Sequence, residues 1–233
     1  MIATSNMPGR PSLAAWLTPF GIIVVYVALL VLPATRAFAR EMSLENRPIE
    51  LMTFALLLAA ALVSLDLARR TRSQGEGRIV YGFYTLFGIA MLVVAMEEVA
   101  WGQTFFGWST PEIWRDMNAQ QETTLHNLKP VQVHQPLFRI IFALGGMIGI
   151  LMGRFDRFRA IAAPASLLPW LTAILLVSAP SQYPLFTERE PRFDRFLRVL
   201  SEMTELLIAI AAFLYAIANR QRLRSRGNGA VTP

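Results

Sequence analysis

The residue types that can carry chemistry concentrate in one stretch of this sequence, residues 97–134. Its candidates are an adjacent glutamate pair, a later glutamate and both histidines of the chain: Glu97, Glu98, Glu122, His126 and His134. It lies between two long apolar runs, where an ionised side chain is costly unless it is paired, bound to an ion or hydrated. These residues are therefore the first candidates for a functional site.

The spacing within this stretch predicts a metal site. Glu122 and His126 are four residues apart, so on a helix they share one face, with Asn118 one turn earlier. A carboxylate and an imidazole so placed can bind a divalent metal, and Glu97 or Glu98 could add an oxygen ligand. Carboxylate-rich ligation suits Mn, Mg, Ca or non-haem Fe at least as well as Zn. The same spacing also occurs in ordinary surface pairs.

A second polar group opens the last apolar run. Arg195, Arg198, Glu202 and Glu205 follow a spacing of three and then four residues, which places them on one helical face. We expect the two acids at the same membrane depth as the glutamate pair, and arginines can hold a phosphate bidentately. The predicted site comprises catalytic Glu97, Glu98 and Glu122; metal ligands Glu98, Glu122, His126, Glu202 and Glu205; and substrate-binding Asn118, Asn127, Arg195 and Arg198.

Structural roles for the same residues are an open alternative. Arg198 and Glu202 could form only an i,i+4 ion pair, and Glu205 could bond a neighbouring helix. His134 could simply hydrogen-bond near the lipid headgroups.

The elements that must position these residues are membrane helices. The chain has 233 residues, of which 54% are hydrophobic and 16% charged, so it is too apolar for an ordinary soluble domain. A helix needs roughly 20 apolar residues to cross a hydrocarbon core about 30 Å thick, and about six runs qualify. The predicted spans are 13–32, 49–67, 79–97, 137–153, 161–179 and 197–218. No run alternates as a membrane β-strand must. The predicted fold is an all-α integral membrane bundle forming a single domain over 1–226, with a disordered tail over 227–233.

The connection between the third and fourth spans, 98–136, has its own predicted helices. Ser109-Thr110-Pro111-Glu112 is a typical helix start and precedes a short apolar face, which predicts a helix along the membrane interface. A second helix is predicted over 118–128. Tryptophans typical of an interfacial aromatic belt occur at Trp101, Trp108 and Trp114.

Charge distribution predicts the orientation. The net charge of +6 comes mainly from arginines at helix ends, which indicates membrane topology and anionic lipid rather than a nucleic-acid partner. The arginine bias places both termini in the cytoplasm and the 98–136 connection outside the cell (inner) membrane. Asp66 is expected to pair with Arg69 and Arg70. Ala37-Phe38-Ala39 resembles a signal cleavage site, but the preceding apolar stretch is long for a signal, so we expect a retained helix. The absence of cysteine excludes disulfides and thiolate metal sites.

Glycine and proline positions predict local packing. Gly145, Gly149 and Gly153 recur every four residues in the fourth span, which favours close approach of another helix. Pro164 and Pro169 are expected to bend the fifth span.

A resemblance rests on two linked motifs. Glu97-Glu98-x-x-Trp101-Gly102-Gln103, followed by Thr110-Pro111-Glu112 and by Asn118-x-Gln120-x-Glu122-x-x-Leu125-His126-Asn127, resembles a pattern in uncharacterised bacterial multi-pass membrane proteins. This resemblance implies a family without a known activity. A fainter likeness is to the alkaline ceramidase-type membrane hydrolases. The chain lacks their late His-x-x-x-His pair, so zinc amidase activity is not carried over.

Three functional hypotheses follow from these residues. The first is a metal-dependent hydrolase or transferase acting on a lipid or lipid-linked substrate at the outer membrane face. The second is a structural or assembly protein in which the polar cluster locks helices together. The third is a proton- or cation-coupled transporter; clustering of the acids near one face and the absence of a visible repeat count against it.

Overall fold

The computed structural model describes residues 11–44, 47–132, 134–182 and 191–229. This part of the chain is helical, and an isolated bridge between Asn118 and Leu128 is its one β-type pairing. The α-helices in chain order are α1 (Leu13–Val31), α2 (Pro33–Met42), α3 (Pro48–Ser73), α4 (Arg78–Glu98), α5 (Gln103–Phe106), α6 (Glu112–Met117), α7 (Lys129–Gln132), α8 (Gln135–Met152), α9 (Leu168–Ser178) and α10 (Pro191–Gly229).

Five of these helices are long and apolar enough to cross a membrane: α1, α3, α4, α8 and the Val199–Ser225 part of α10. The prediction of a multi-pass helical membrane protein is therefore confirmed. Where a short helix was expected after Ser109-Thr110-Pro111-Glu112, the structure has α6, a six-residue helix preceded by Pro111; its position along the membrane interface stays a prediction. The predicted tail over 227–233 falls partly on the end of α10 and partly outside the described residues.

The predicted fifth span is shorter than expected. Residues 161–164 are not helical, and a 3-10 turn, Ala165–Leu167, leads into α9. Pro164 precedes that turn and Pro169 lies in the first turn of α9, so the prediction that they bend a longer helix is wrong. Proline has no N–H to donate, and the first helical turn is where that donor is not needed.

Helices α3, α4 and α10 form the centre of the bundle. Their contact surfaces bury Leu67, Tyr84 and Leu207 completely. The Tyr84 hydroxyl donates to the Ala160 carbonyl at 2.5 Å, and the Tyr215 hydroxyl donates to the Ile161 carbonyl at 2.7 Å. These bonds satisfy two polar groups inside an apolar bundle and fix α4 and α10 to the segment that leads to α9.

Ion pairs mark one end of the bundle, which we call the arginine end. Asp66 accepts hydrogen bonds from Arg70 Nε at 2.7 Å and from Arg69 Nη2 at 3.3 Å, which confirms the predicted pair. Arg220 Nη2 of α10 lies 3.7 Å from the same carboxylate. The C-terminal parts of α3 and α10 therefore lie together. The last turn of α4, with Glu98, lies at the opposite end.

Close approach of α8 to α9 depends on a glycine outside the predicted stripe of Gly145, Gly149 and Gly153. A Cβ at Gly146 would lie 2.6 Å from Leu171 Cδ2, so only glycine fits there without a shift. Within the stripe, a Cβ at Gly153 would meet the Ala162 Cβ at 3.2 Å, whereas one at Gly145 would meet nothing within 4 Å. The predicted stripe is thus only partly a packing surface, and Gly145 faces open space.

Candidate functional site

The backbone reverses direction immediately after α4. Ala100 and Trp101 have positive φ values of 46° and 56°, followed by Gly102 at 97°. Positive φ is uncommon for residues other than glycine and carries a conformational cost. The reversal brings the Trp101 indole back over the helix end, where its Nε1 donates to Glu97 Oε1 at 2.5 Å.

The Glu97 carboxylate is the centre of the hydrogen-bond network. Besides the indole bond, its Oε2 accepts from the Leu125 backbone N–H at 2.6 Å, the His126 backbone N–H at 2.9 Å and His126 Nδ1 at 3.1 Å. The residue is only 7% exposed. Hydrogen bonds to an ionised acceptor are the stronger kind, so Glu97 fastens the 118–128 loop to the end of α4.

The prediction of a helix over 118–128 is wrong, because Asn118 folds this segment as a loop. Its Oδ1 accepts from the backbone N–H groups of Gln120 at 2.9 Å and Glu122 at 3.3 Å. Its Nδ2 donates to the Thr124 carbonyl at 2.8 Å. The bridge to Leu128 closes the loop. An asparagine side chain that bonds nearby backbone groups offers the chain an alternative to the helical ladder.

This loop changes the roles expected of the predicted residues. Glu122 and His126 do not share a helical face, so the spacing argument for joint ligation fails. Asn118 and Asn127 are 2% and 4% exposed, and both bond within the loop. Asn127 Nδ2 donates to Gln120 Oε1. The structure therefore shows these asparagines stabilising the loop.

Gln103 ties the loop to the turn that follows α4. Its Nε2 donates to Thr110 Oγ1 at 2.8 Å and to the Trp108 carbonyl at 3.0 Å. Its Oε1 accepts from the Thr123 backbone N–H at 3.1 Å. One amide side chain thus joins three parts of the 98–136 connection.

A cavity of about 270 Å³ lies beneath this network. We call it the head cavity; its charged and amide lining residues are Glu97, Glu98, His126, Gln135, Arg139 and Glu205. It brings predicted residues from α4, the loop and α10 around one space. Glu122 and Glu202 are not among the residues that line it. The side chains of Arg195 and Arg198 lie outside the described part of the structure, and His134 is exposed beside the N-terminus of α8.

Arg139 is a site residue that the spacing arguments missed. Its Nη2 donates to Glu205 Oε1 at 2.6 Å and lies 3.4 Å from Gln135 Oε1. The arginine is 7% exposed, so a buried ion pair joins α8 to α10. Its position inside an apolar span was the available signal, because an intramembrane arginine calls for a partner.

The environment of His126 favours its charged form. Burial lowers the pKa of His126, but the hydrogen bond that Nδ1 donates to Glu97, with the negative charges of Glu205, Glu97 and Glu50, outweighs burial and raises the pKa overall. With Nδ1 directed at a carboxylate, the imidazole is oriented to exchange protons at Nε2. Such a carboxylate–imidazole pair can serve in acid–base catalysis.

The predicted divalent metal gains no support from these side chains. Among the described residues, no group of three or more His, Asp or Glu side chains is arranged to hold a metal. Both Glu97 oxygens accept N–H donors, and Glu205 pairs with a guanidinium. Ligation would have to displace these partners, so the metal stays a prediction.

No protein-family model matches the sequence, and no match was found among curated proteins or solved structures. The resemblance to bacterial multi-pass membrane proteins therefore stays a prediction.

Proposed function

We propose that the protein is a membrane enzyme that hydrolyses, or transfers a group to or from, a lipid or lipid-linked substrate. The observation that carries the proposal is the Glu97–His126 pair at the edge of the head cavity, which also contains a buried arginine. An oriented imidazole, a neighbouring carboxylate and a cation around one space are a typical acid–base constellation.

The roles follow from the geometry. The neutral His126 imidazole takes a proton at Nε2 from water, or from an acceptor hydroxyl, as that oxygen attacks the substrate. Glu97 stabilises the imidazolium through Nδ1, and the proton then passes to the oxygen of the leaving group. Arg139 supplies positive charge where negative charge develops on the substrate, and Glu98 is a second carboxylate in the cavity. The chain's own residues thus provide proton transfer and charge stabilisation.

The topology of the bundle supports a sixth crossing by α9. Arg139 of α8 pairs with Glu205 at one end of the bundle. Arg222 of α10 donates to the Arg159 carbonyl at 3.0 Å, which places the chain after α8 near the other end. Glu205 and Arg222 are separated by about 25 Å at 1.5 Å per helical residue. The chain must therefore return across the bundle before α10 begins, and α9 is the helix on that path.

Six crossings place the described start of α1 and the described end of α10 on the same side. With the arginine end in the cytoplasm, the head cavity lies at the outer face of the inner membrane. Exposed apolar side chains of the 98–136 connection support this placement at the membrane face: Phe106 is 77% exposed and Ile113 72% exposed. Exposed apolar groups beside the spans are suited to the bilayer interface. The head cavity would then lie at the level of lipid headgroups.

Lipid turnover by a matched pair of histidine variants tests the proposal. Wild type, His126→Gln and His134→Gln are reconstituted in liposomes of phosphatidylethanolamine, phosphatidylglycerol and a polyprenyl phosphate. Mass spectrometry then follows the lipids. We expect a new lipid product with wild type and His134→Gln, and its loss with His126→Gln. Equal product with His126→Gln, or no product with any variant, would refute the enzyme.

A structural role is the second candidate, because a specific observation favours it. The four hydrogen bonds to Glu97 come from the chain itself, and the Arg139–Glu205 pair joins two helices. A helix-locking cluster predicts that His126→Gln lowers thermal stability and that wild type turns over no lipid. Transport has no comparable support. A second cavity, farther along α8, is lined by apolar residues and Tyr215, so it offers no further ionisable group for a proton or cation path.

A further inference from the structure

A second and larger cavity, of about 550 Å³, lies between α4 and α8. We call it the tail cavity. Helix α4 packs mainly on α3, and α8 mainly on α9, so a groove remains between α4 and α8. The groove lies within helices long enough to cross a membrane, so the medium at its mouth is lipid hydrocarbon.

The walls of the tail cavity reach below the lipid-facing surface. Its mouth includes exposed side chains of α4 and α8, such as Phe83 at 37% and Ile148 at 58% exposure. Its floor includes Leu171 of α9 and Tyr215 of α10, which are 2% and 7% exposed. The space is therefore an invagination into the bundle.

An exposed glycine leaves the mouth of this space unobstructed. Gly145 lines the cavity, and a Cβ there would meet no atom within 4 Å. The one phenol in the floor, Tyr215, donates to the Ile161 carbonyl, so its polar hydrogen is already bonded. A cavity with apolar walls does not hold water well, because a buried water needs two to four polar partners.

The tail cavity adjoins the head cavity. Phe142 lines both spaces, and it lies one helical turn from Arg139 and one from Gly145 on α8. A single molecule along α8 would therefore place one end beside the Arg139 and His126 side chains and an apolar body beside Gly145.

We infer that the tail cavity binds one hydrocarbon chain of a membrane lipid whose headgroup occupies the head cavity. The inference rests on the proposed function and names its substrate class: an amphipathic lipid with a chain long enough to pass Phe142. A polar substrate would leave the apolar invagination unfilled, and a lipid bound only at the surface would not reach Tyr215.

Photolabelling tests the position of the chain. Wild type is placed in phosphatidylglycerol nanodiscs that contain a phosphatidylglycerol with a diazirine in one acyl chain, and labelled residues are mapped by mass spectrometry. We expect labels on the buried floor, at Leu171 and Tyr215, as well as on lipid-facing Leu86, which is 70% exposed. Labels confined to lipid-facing residues would overturn the inference without any variant.

A matched glycine pair tests the site itself. Gly145→Leu places a side chain at the mouth of the tail cavity, whereas Gly82→Leu makes the same change on α4 at a position that does not line it, also with nothing within 4 Å. We expect Gly145→Leu to reduce floor labelling about tenfold, because overpacking a filled site is disfavoured. Gly82→Leu keeps the wild-type pattern. Unchanged floor labelling in Gly145→Leu would overturn the inference.

The histidine variants separate the two ideas. Suppose that Gly145→Leu abolishes labelling of the cavity floor and that wild type turns over no lipid. This result would support the chain-binding site and refute the proposed enzymatic function. Lipid turnover that depends on His126 but is unaffected by Gly145→Leu would support the proposed enzyme and overturn the inference that the tail cavity binds the lipid chain.

Discussion

Replacing Glu97 with glutamine is expected to release the 118–128 loop from the end of α4. The substitution keeps the size of the side chain but removes its charge and turns one acceptor oxygen into a donor. If the remaining oxygen takes the place of Oε2, the Leu125 and His126 donors keep an acceptor. The new amide then faces the Trp101 indole N–H, so two donors oppose each other.

The magnitude follows from the four bonds. A hydrogen bond to a charged group contributes about 1.5–3 kcal/mol and a neutral one about 0.5–1.5 kcal/mol. Glu97→Gln loses one bond and weakens the other three, and local relaxation recovers part of that loss. The net loss in the free energy of loop docking is about 3 kcal/mol. At 1.4 kcal/mol per tenfold step, the open form of the loop becomes about a hundredfold more populated.

Amide hydrogen exchange measures this opening directly. We expect the Leu125 and His126 amides of Glu97→Gln, in nanodiscs, to exchange about a hundredfold faster than in wild type. Glu98→Gln is the matched control, because the four bonds that fasten the loop are made by Glu97. Wild-type protection in Glu97→Gln, or equal acceleration in Glu98→Gln, would refute the assignment of Glu97 as the fastening residue.

Four further predictions use thermal unfolding in detergent. Arg139→Gln leaves the half-buried Glu205 without its cation and is expected to cost about 1–3 kcal/mol, most of which the double variant Arg139→Leu/Glu205→Leu recovers; equal losses in the single and double variants would contradict the pairing. Burial lowers the pKa of His126, but the hydrogen bond to Glu97 and nearby negative charges raise it by more, so the pKa in the folded protein lies above the unfolded value. The protonated imidazole therefore stabilises the fold. The extra thermal stability of wild type over His126→Gln is therefore expected to be complete below about pH 6.5 and to be lost as the pH rises through the pKa of His126 in the folded protein. A stability difference that stays constant from about pH 5 to 9 would contradict this role of the imidazole. Because both Glu97 oxygens and Glu205 are already bonded to N–H donors, chelation with EDTA is expected to leave the melting temperature unchanged; a lower melting temperature, together with a near-stoichiometric metal in elemental analysis, would support the predicted metal site. Gly146→Ala is expected to be less stable than Gly145→Ala by about 1 kcal/mol, because its Cβ forces the Leu171 side chain to shift, whereas a Cβ at Gly145 meets nothing within 4 Å; equal stabilities would show that α8 and α9 do not approach as closely as described.

The candidate site was partly predictable because ionisable residues in apolar surroundings are visible in the sequence. Glu98, His126 and Glu205 were singled out in this way, and all three line the head cavity. The predicted helix over 118–128 is wrong, and with it the shared helical face of Glu122 and His126. A local competitor, the Asn118 side chain, and a positive φ of 60° at Gln121 hold this segment as a loop instead.

The sequence by itself determined the class of protein, because hydrophobic length is a local property that can be counted along the chain. It also determined the Asp66 ion pair, whose partners lie three and four residues away. Tertiary structure alone decided that Glu97 fastens the loop, that Arg139 pairs with Glu205 across 66 positions, and that Gly146 rather than Gly145 meets α9. These outcomes depend on how helices far apart in the chain rotate and pack against one another. The periodicity of one helix specifies which residues share a face, and packing specifies what that face contacts.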